Sequence, residues 1–387
     1  MTRRPSRSCT DPDLDLPGDT PGGSLPDDAG PAGPYDAAPP DDADLWFMPQ
    51  LSDDGDAPPG ALPWDLAARP PEQTFTAGDW AQAEADHAGL LARAALSVGA
   101  LDDRLRSGPP GLRRRLVASE VADLAWHLGD RVTVDRLALF LALRLAAVSE
   151  DTQALARAAW AHRRLDHAGL PDLADPVALA AFLGRETTAG GGNADMIARP
   201  TGTEFDALAR AWALAVGGMS MRHPFVTSAA AWQNWQDSGL SGDVAAIEGA
   251  VLASKLAARA LRPGGLGFVP LALAGGDALR ATGAPPRRLG GWLRGIEQAA
   301  LRGLMDCDRL TAWQGRAAQA TAHLSGRTPE RLITALVDWP LVSAPLLEQQ
   351  TTASRAAVQR NMLRFQELGL VREVTGQSRF RFWRAAV

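Results

Sequence analysis

The run from 329 to 387 carries cap and turn signals in an order that few folds accommodate. An apolar helix over 332–337 ends before Pro340. A second helix can open at Pro345, because proline fits the first helical turn, and continues through Leu346 and Leu347 to Gln350. The polar turn Thr351-Thr352-Ala353-Ser354 follows, with Ser354 as the N-cap of a third helix over 355–368. In that helix Val358, Met362 and Phe365 recur at helical spacing and predict one buried stripe. Arg355, Gln359, Arg360 and Arg364 fall on the opposite face, and Gly369 stops the helix. Two strand-like runs, 370–374 and 379–383, are joined by Thr375-Gly376-Gln377-Ser378 and read as a hairpin. Phe380 and Phe382 share one face of its second strand, and Arg379 and Arg381 share the other.

Helix, turn, helix and hairpin in that order predict a winged helix-turn-helix. A helix with Arg and Gln on its free face can enter the major groove and read base edges. A hairpin with arginines on one side can lie along phosphates. From 330 to 387 there are eight arginines and five carboxylates, so this run is positive in a chain of net charge −6. Ser354, Arg355, Gln359, Arg360 and Arg364 are the expected helix contacts to DNA, and Arg379, Arg381 and Arg384 the expected wing contacts.

The stretch Leu370-Val371-Arg372-Glu373-Val374-Thr375-Gly376-Gln377-Ser378-Arg379-Phe380-Arg381 resembles the wing of the winged-helix domains that end many Fic proteins. It is also similar to the ending of a family of uncharacterised bacterial proteins with a C-terminal helix-turn-helix. The second resemblance covers most of the chain after its first 75 residues and implies DNA binding, with no substrate. The Fic resemblance reaches into the body, at Trp126-His127-Leu128-Gly129, at His223-Pro224-Phe225 and from Trp292-Leu293 to Trp313. In Fic proteins a His-Pro-Phe loop continues with a magnesium-binding acid, a Gly-Asn-Gly phosphate turn and an arginine. Here Val226-Thr227-Ser228-Ala229-Ala230-Ala231 supplies none of these, so metal ligand and anion cradle are both missing from the motif. The glutamate that precedes the glycine of the family's inhibitory helix is replaced by Leu128. The resemblance therefore implies a degenerate Fic-like helical body, with a nucleotide-binding or nucleotidyltransferase remnant around His223 as the alternative function.

Upstream composition divides the chain. Residues 1–75 hold fifteen of its 28 prolines and fifteen carboxylates against four arginines. Such a segment buries too little surface to fold alone and reads as a disordered acidic leader. Its apolar island, Leu45-Trp46-Phe47-Met48, fits a docking motif or a patch packed on the chain's own body. Arg3, Arg4 and Arg7 have no apolar run behind them, so no signal peptide is expected. Two cysteines, Cys9 and Cys307, give no disulfide framework and no cysteine-based zinc site. No uncharged apolar run reaches membrane-spanning length, so no membrane partner is expected.

From residue 76 onward helical periodicity dominates, over 80–105, 112–128, 134–148, 152–167, a short helix through Phe182, then 205–216, 225–236, 244–261 and 289–323. Glycine and proline joints separate these helices. The glycine run Gly190-Gly191-Gly192-Asn193 is not followed by Lys-Ser/Thr and reads as a linker within 185–203, not a P-loop. His162 and His167 lack the spacing of helical metal ligands and are expected to face solvent. Cys307, between Asp306 and Asp308, is expected to be structural with a raised thiol pKa.

The expected fold is mainly α, with a leader (1–75), an N-terminal helical region (76–184), a central helical domain (203–325) and a winged helix-turn-helix (329–387). The expected function is DNA binding in transcriptional regulation, by a cytoplasmic homodimer without catalytic residues, metal or cofactor.

Overall fold

Proline placement explains six of the fourteen α-helix starts among the described residues. The computed structural model describes residues 75–143, 150–167, 169–185, 199–242, 247–376 and 381–387. Among them are fourteen α-helices, and six carry proline in the first turn: α3 (Pro110–His127), α6 (Pro176–Leu183), α8 (Pro224–Ser238), α11 (Pro285–Thr321), α12 (Thr328–Asp338) and α13 (Ala344–Thr351). The missing proline N–H is no loss there, because first-turn amides have no intrahelical acceptor. The other helices are α1 (Ala77–Asp86), α2 (Ala88–Ser107), α4 (Val134–Leu143), α5 (Glu150–Asp166), α7 (Gly202–Gly217), α9 (Ile247–Ala257), α10 (Asp277–Arg280) and α14 (Arg355–Glu367). No helix among the described residues is long and apolar enough to cross a membrane. The expected acidic leader, its 45–48 island, Cys9 and the glycine run at 190–193 lie outside the described residues.

The mainly α fold class agrees with the sequence reading, with adjustments. The single helix expected over 80–105 is two, broken at His87, whose Nε2 lies 2.7 Å from the Pro286 carbonyl at the start of α11. Helices on both sides of the 185–203 segment share one core: α2 lies along α11, α5 against α9, and α8 against α9. His162 is half-buried, not solvent-facing, and burial holds its imidazole below the usual pKa; His167 is exposed beside Asp166. Cys307 is buried, and burial pushes its thiol up to about 11.

The least regular part of the interior is also its most polar. Between α9 and α10 the chain runs without helix or strand from Leu261 to Gly276, yet Leu266, Phe268, Val269, Leu271 and Ala272 are all buried. Buried amides and carbonyls without a ladder need side-chain partners. Asp102 Oδ1 accepts from Leu266 N (2.6 Å), Glu120 from Leu271 N (2.7 Å) and Ala272 N (3.2 Å), and Ser254 Oγ donates to the Val269 carbonyl (2.7 Å). Arg113 and Lys255, the latter the sole lysine of the chain, donate to the carbonyls of Leu266 (3.1 Å) and Gly267 (3.4 Å). These polar side chains serve the backbone of one apolar segment.

Hydrogen bonds from α3 and α11 join the C-terminal module to this body. Trp313, on α11, donates its indole N–H to the Leu370 carbonyl at 2.9 Å. From α3, Arg115 donates to the carbonyls of Leu336, Val337 (3.3 Å) and Trp339 (2.9 Å), and Arg114 to that of Asp338 (3.0 Å). The two arginines thus cap the C-terminal end of α12, where carbonyls lack intrahelical partners and cations are favoured. The Arg114 guanidinium also stacks 4.2 Å above the Trp339 ring. Gly111 makes the approach possible: a Cβ there would sit 2.0 Å from the Val337 carbonyl oxygen and 2.5 Å from Asp338 Cα.

Candidate nucleic-acid interface

Three helices and three short strands build the module. Ser343 caps α13 by accepting from Leu346 N (3.4 Å), and Ser354 caps α14 by accepting from Ala357 N (3.3 Å). Between α13 and α14, Thr352 adopts φ +54°, a left-handed conformation that β-branched residues rarely tolerate. It is held from α12: Arg331 Nη1 donates to the Thr351 carbonyl and to Thr352 Oγ1, both at 3.0 Å. Thr352 Oγ1 in turn donates to the Thr351 carbonyl (2.7 Å). Thr352→Val keeps the side-chain shape and loses both Oγ1 bonds, so it is expected to destabilise by about 1 kcal/mol. Thr352→Asn, which accepts the left-handed region, is expected to cost less; urea unfolding of both variants makes the comparison.

The expected buried stripe of α14 is present, with Val358, Met362 and Phe365 all essentially inaccessible. They pack in a core with Leu332, Leu336, Leu347, Leu370 and Trp383. After α14 come β2 (Val371–Glu373) and β3 (Phe382–Ala385), which pair antiparallel with Val371 opposite Ala385. A third strand, β1 (Val342–Ser343), pairs with the other edge of β3, giving the order β1-β3-β2. Among the described residues the second strand of the hairpin begins at Phe382; Arg379 and Phe380, expected to open it, lie outside them.

The surviving free face of α14 is broad. Ser354, Arg355, Gln359, Arg360 and Arg364 are all exposed, as their spacing predicts. The side chains of Gln359 and Arg360 have no hydrogen bond or ion pair among the described residues. Arg355 lies 4.0 Å from Glu348, and Arg364 pairs with Glu367 at 3.0 Å. Such surface pairs contribute at most about 1 kcal/mol and exchange readily for phosphate. Leu363, which a pattern of polar contacts does not single out, stands on the same face, 52% exposed.

The hairpin arginines separate. Arg381 lies 3.6 Å from Glu373 across the hairpin. Arg384 points to the body, where Nη1 bonds Asp135 of α4 at 3.1 Å, so it is not brought together with the α14 face. Arg379 lies outside the described residues. Arg372, not singled out from the sequence, is exposed on β2.

Residues 329–385 match the family model described as "HTH DNA binding domain". The chain thus ends in a helix-turn-helix domain of the DNA-binding kind. No curated protein matches the chain. Among solved structures, a Fic family protein from Desulfovibrio desulfuricans G20 aligns with 76% of this chain and 95% of its own, at 14% identity and a TM-score of 0.41.

The His-Pro-Phe site of the body is engaged in its own fold. His223 caps α8, its Nδ1 accepting from Phe225 N at 3.2 Å, while its backbone N–H donates to Glu84 Oε1 at 2.9 Å. Arg222 reaches the same carboxylate at 3.4 Å. Among the described residues no three His, Cys, Asp or Glu side chains converge as metal ligands.

Proposed function

We propose that the chain binds DNA sequence-specifically and acts in transcriptional regulation, with α14 as the reading helix and the β2–β3 hairpin as a wing along the phosphates. The observation that carries this reading is the α14 face itself. Arg355, Gln359 and Leu363 form one row at four-residue spacing, and Arg360 and Arg364 form the next. Arginine suits the O6 and N7 of guanine, glutamine the N6 and N7 of adenine, and an apolar side chain the thymine methyl. From Arg355 to Arg364 the helix rises roughly 14 Å, about four base pairs of groove. So short a site gives little specificity in a genome. The reading therefore includes a homodimer, in which the helical body would set the distance between two half-sites. It also places the chain in the cytoplasm, beside bacterial DNA.

Selection of bound genomic fragments by the purified protein tests this. Enrichment of one motif, with two-fold symmetry if the protein is dimeric, is the expected result. Arg360→Ala should then weaken the selected site by about 10–100-fold and relax preference at one base position. Arg372→Ala should weaken all sequences alike and flatten the salt dependence by about one unit. Absence of any enriched sequence, with affinity indifferent to salt, would overturn the proposal.

A further inference from the structure

Where the helix-turn-helix module meets the body, the surface closes around a cavity of about 350 Å³. That is within the range of small-molecule sites, roughly 300–1,000 Å³. Its floor is apolar, from Leu116, Cys307 and Leu310, and its walls are strongly charged. Arg115 comes from α3, Arg302 and Arg309 from α11, and Arg384 from β3. Against these four guanidinium groups stand two side-chain carboxylates, Asp135 and Asp306.

The local pairing does not use up this charge. Asp306 receives both Arg302 (3.1 Å) and Arg309 (3.1 Å), one carboxylate between two cations. Asp135 is matched to Arg384 alone at 3.1 Å. Arg115 spends its donors on the α12 carbonyls, and the carboxylate that acts on its charge, Asp338, is not among the residues lining the cavity. Burial, and then the neighbouring positive charge of Arg384, holds Arg115 down to about 10 against the opposing pull of Asp338. Two like charges facing one partly desolvated space repel, and an anion between them removes the repulsion.

We propose that this cavity binds a small polyanion, a molecule bearing phosphate or carboxylate groups, gripped by Arg302 and Arg309 of the body and Arg384 of the module. Guanidinium forks suit such groups because they present paired N–H donors in a plane. The ligand bridges α11 and β3, so it binds best to the arrangement in which the module is seated on the body. Any effect on DNA affinity rests on the reading given above; the binding itself does not.

Isothermal titration of the full chain with inorganic pyrophosphate and with citrate, without DNA and in the presence of EDTA, tests the site. Saturable binding of at least one of them is expected. Arg309→Gln and Arg384→Gln are each expected to weaken it by about tenfold or more. Arg309 is half-exposed and its side chain bonds only Asp306 among the described residues, so its replacement is expected to leave the fold intact and keeps the test decisive should Arg384→Gln fail to fold. Arg360→Gln, on the reading helix, is expected to leave pyrophosphate affinity unchanged. The proposal is overturned if neither anion binds. It is equally overturned if Arg360→Gln weakens binding as much as Arg309→Gln, which would place the anion on the DNA face.

Discussion

Gly111→Ala is expected to destabilise the whole chain by about 3 kcal/mol and to weaken DNA binding indirectly. The added Cβ would overlap backbone, with 2.0 Å to the Val337 oxygen and 2.5 Å to Asp338 Cα. Backbone cannot rotate away as a side-chain tip can. Relief requires α3 and α12 to separate, and separation breaks the bonds from Arg114 and Arg115 to the α12 carbonyls. Overpacking alone costs about 1–3 kcal/mol, and the lost hydrogen bonds add to it. Gly315→Ala on α11 is the matched control, because an added Cβ there meets nothing within 4 Å. An exposed helical glycine replaced by alanine should gain up to about 1 kcal/mol. Guanidinium unfolding of both variants decides the matter: equal midpoints would show that the α3–α12 approach does not depend on the glycine.

Wild-type stability is expected to fall between pH 5 and pH 8, and Glu120→Gln is expected to remove much of that fall. Burial pushes the Glu120 carboxyl up to about 8, against an ordinary value of 4.5, despite the lowering effect of the Leu271 and Ala272 amides. Between those two values the folded chain holds a proton that the unfolded chain has lost. Raising the pH through this window therefore favours unfolding, by up to about 1.4 kcal/mol per unit, and the contribution is gone above the folded pKa. Across pH 5 to 8 the upper bound is roughly 4 kcal/mol. Asp123, raised to about 6 by burial, adds a smaller change of the same sign. His162 and His223, whose pKa values are lowered by burial, oppose it at the acid end. Comparing the two proteins cancels these shared contributions. Glutamine keeps an oxygen for the two amides and has no proton to lose, so parallel pH profiles would show that Glu120 is ionised in the folded chain.

Much of this architecture is legible in the sequence because its signals are local. Pro345 marks a helix start, Ser354 announces a cap, and Val358, Met362 and Phe365 announce a buried stripe that the fold contains. The Arg and Gln face of α14 follows from the same spacing. What escaped was made by distant partners. β1 is two residues long, and Val342 finds Trp383 only in the fold, so no periodicity could reveal it. Arg384, three positions after Arg381, falls on the opposite face of a period-2 strand, and in the fold Asp135, 249 positions away, draws it to the body. The 261–276 stretch reads as a loop from its glycines and prolines. Its burial depends on Asp102, Glu120 and Ser254, residues that look like ordinary helix surface in one dimension.

The arginine cap that α3 places on α12 has a genetic consequence. A reading helix tethered by a slack linker would tolerate damage elsewhere, and mutations abolishing its activity would cluster in the last sixty or so positions. Here the indole of Trp313 and the guanidinium groups of Arg114 and Arg115 tie the module to the body's own core. Because a small loss of stability can empty the folded population, inactivating substitutions should be scattered across the helices from α2 to α11. Their positions on a genetic map would then trace the interior of the protein rather than its DNA-facing surface.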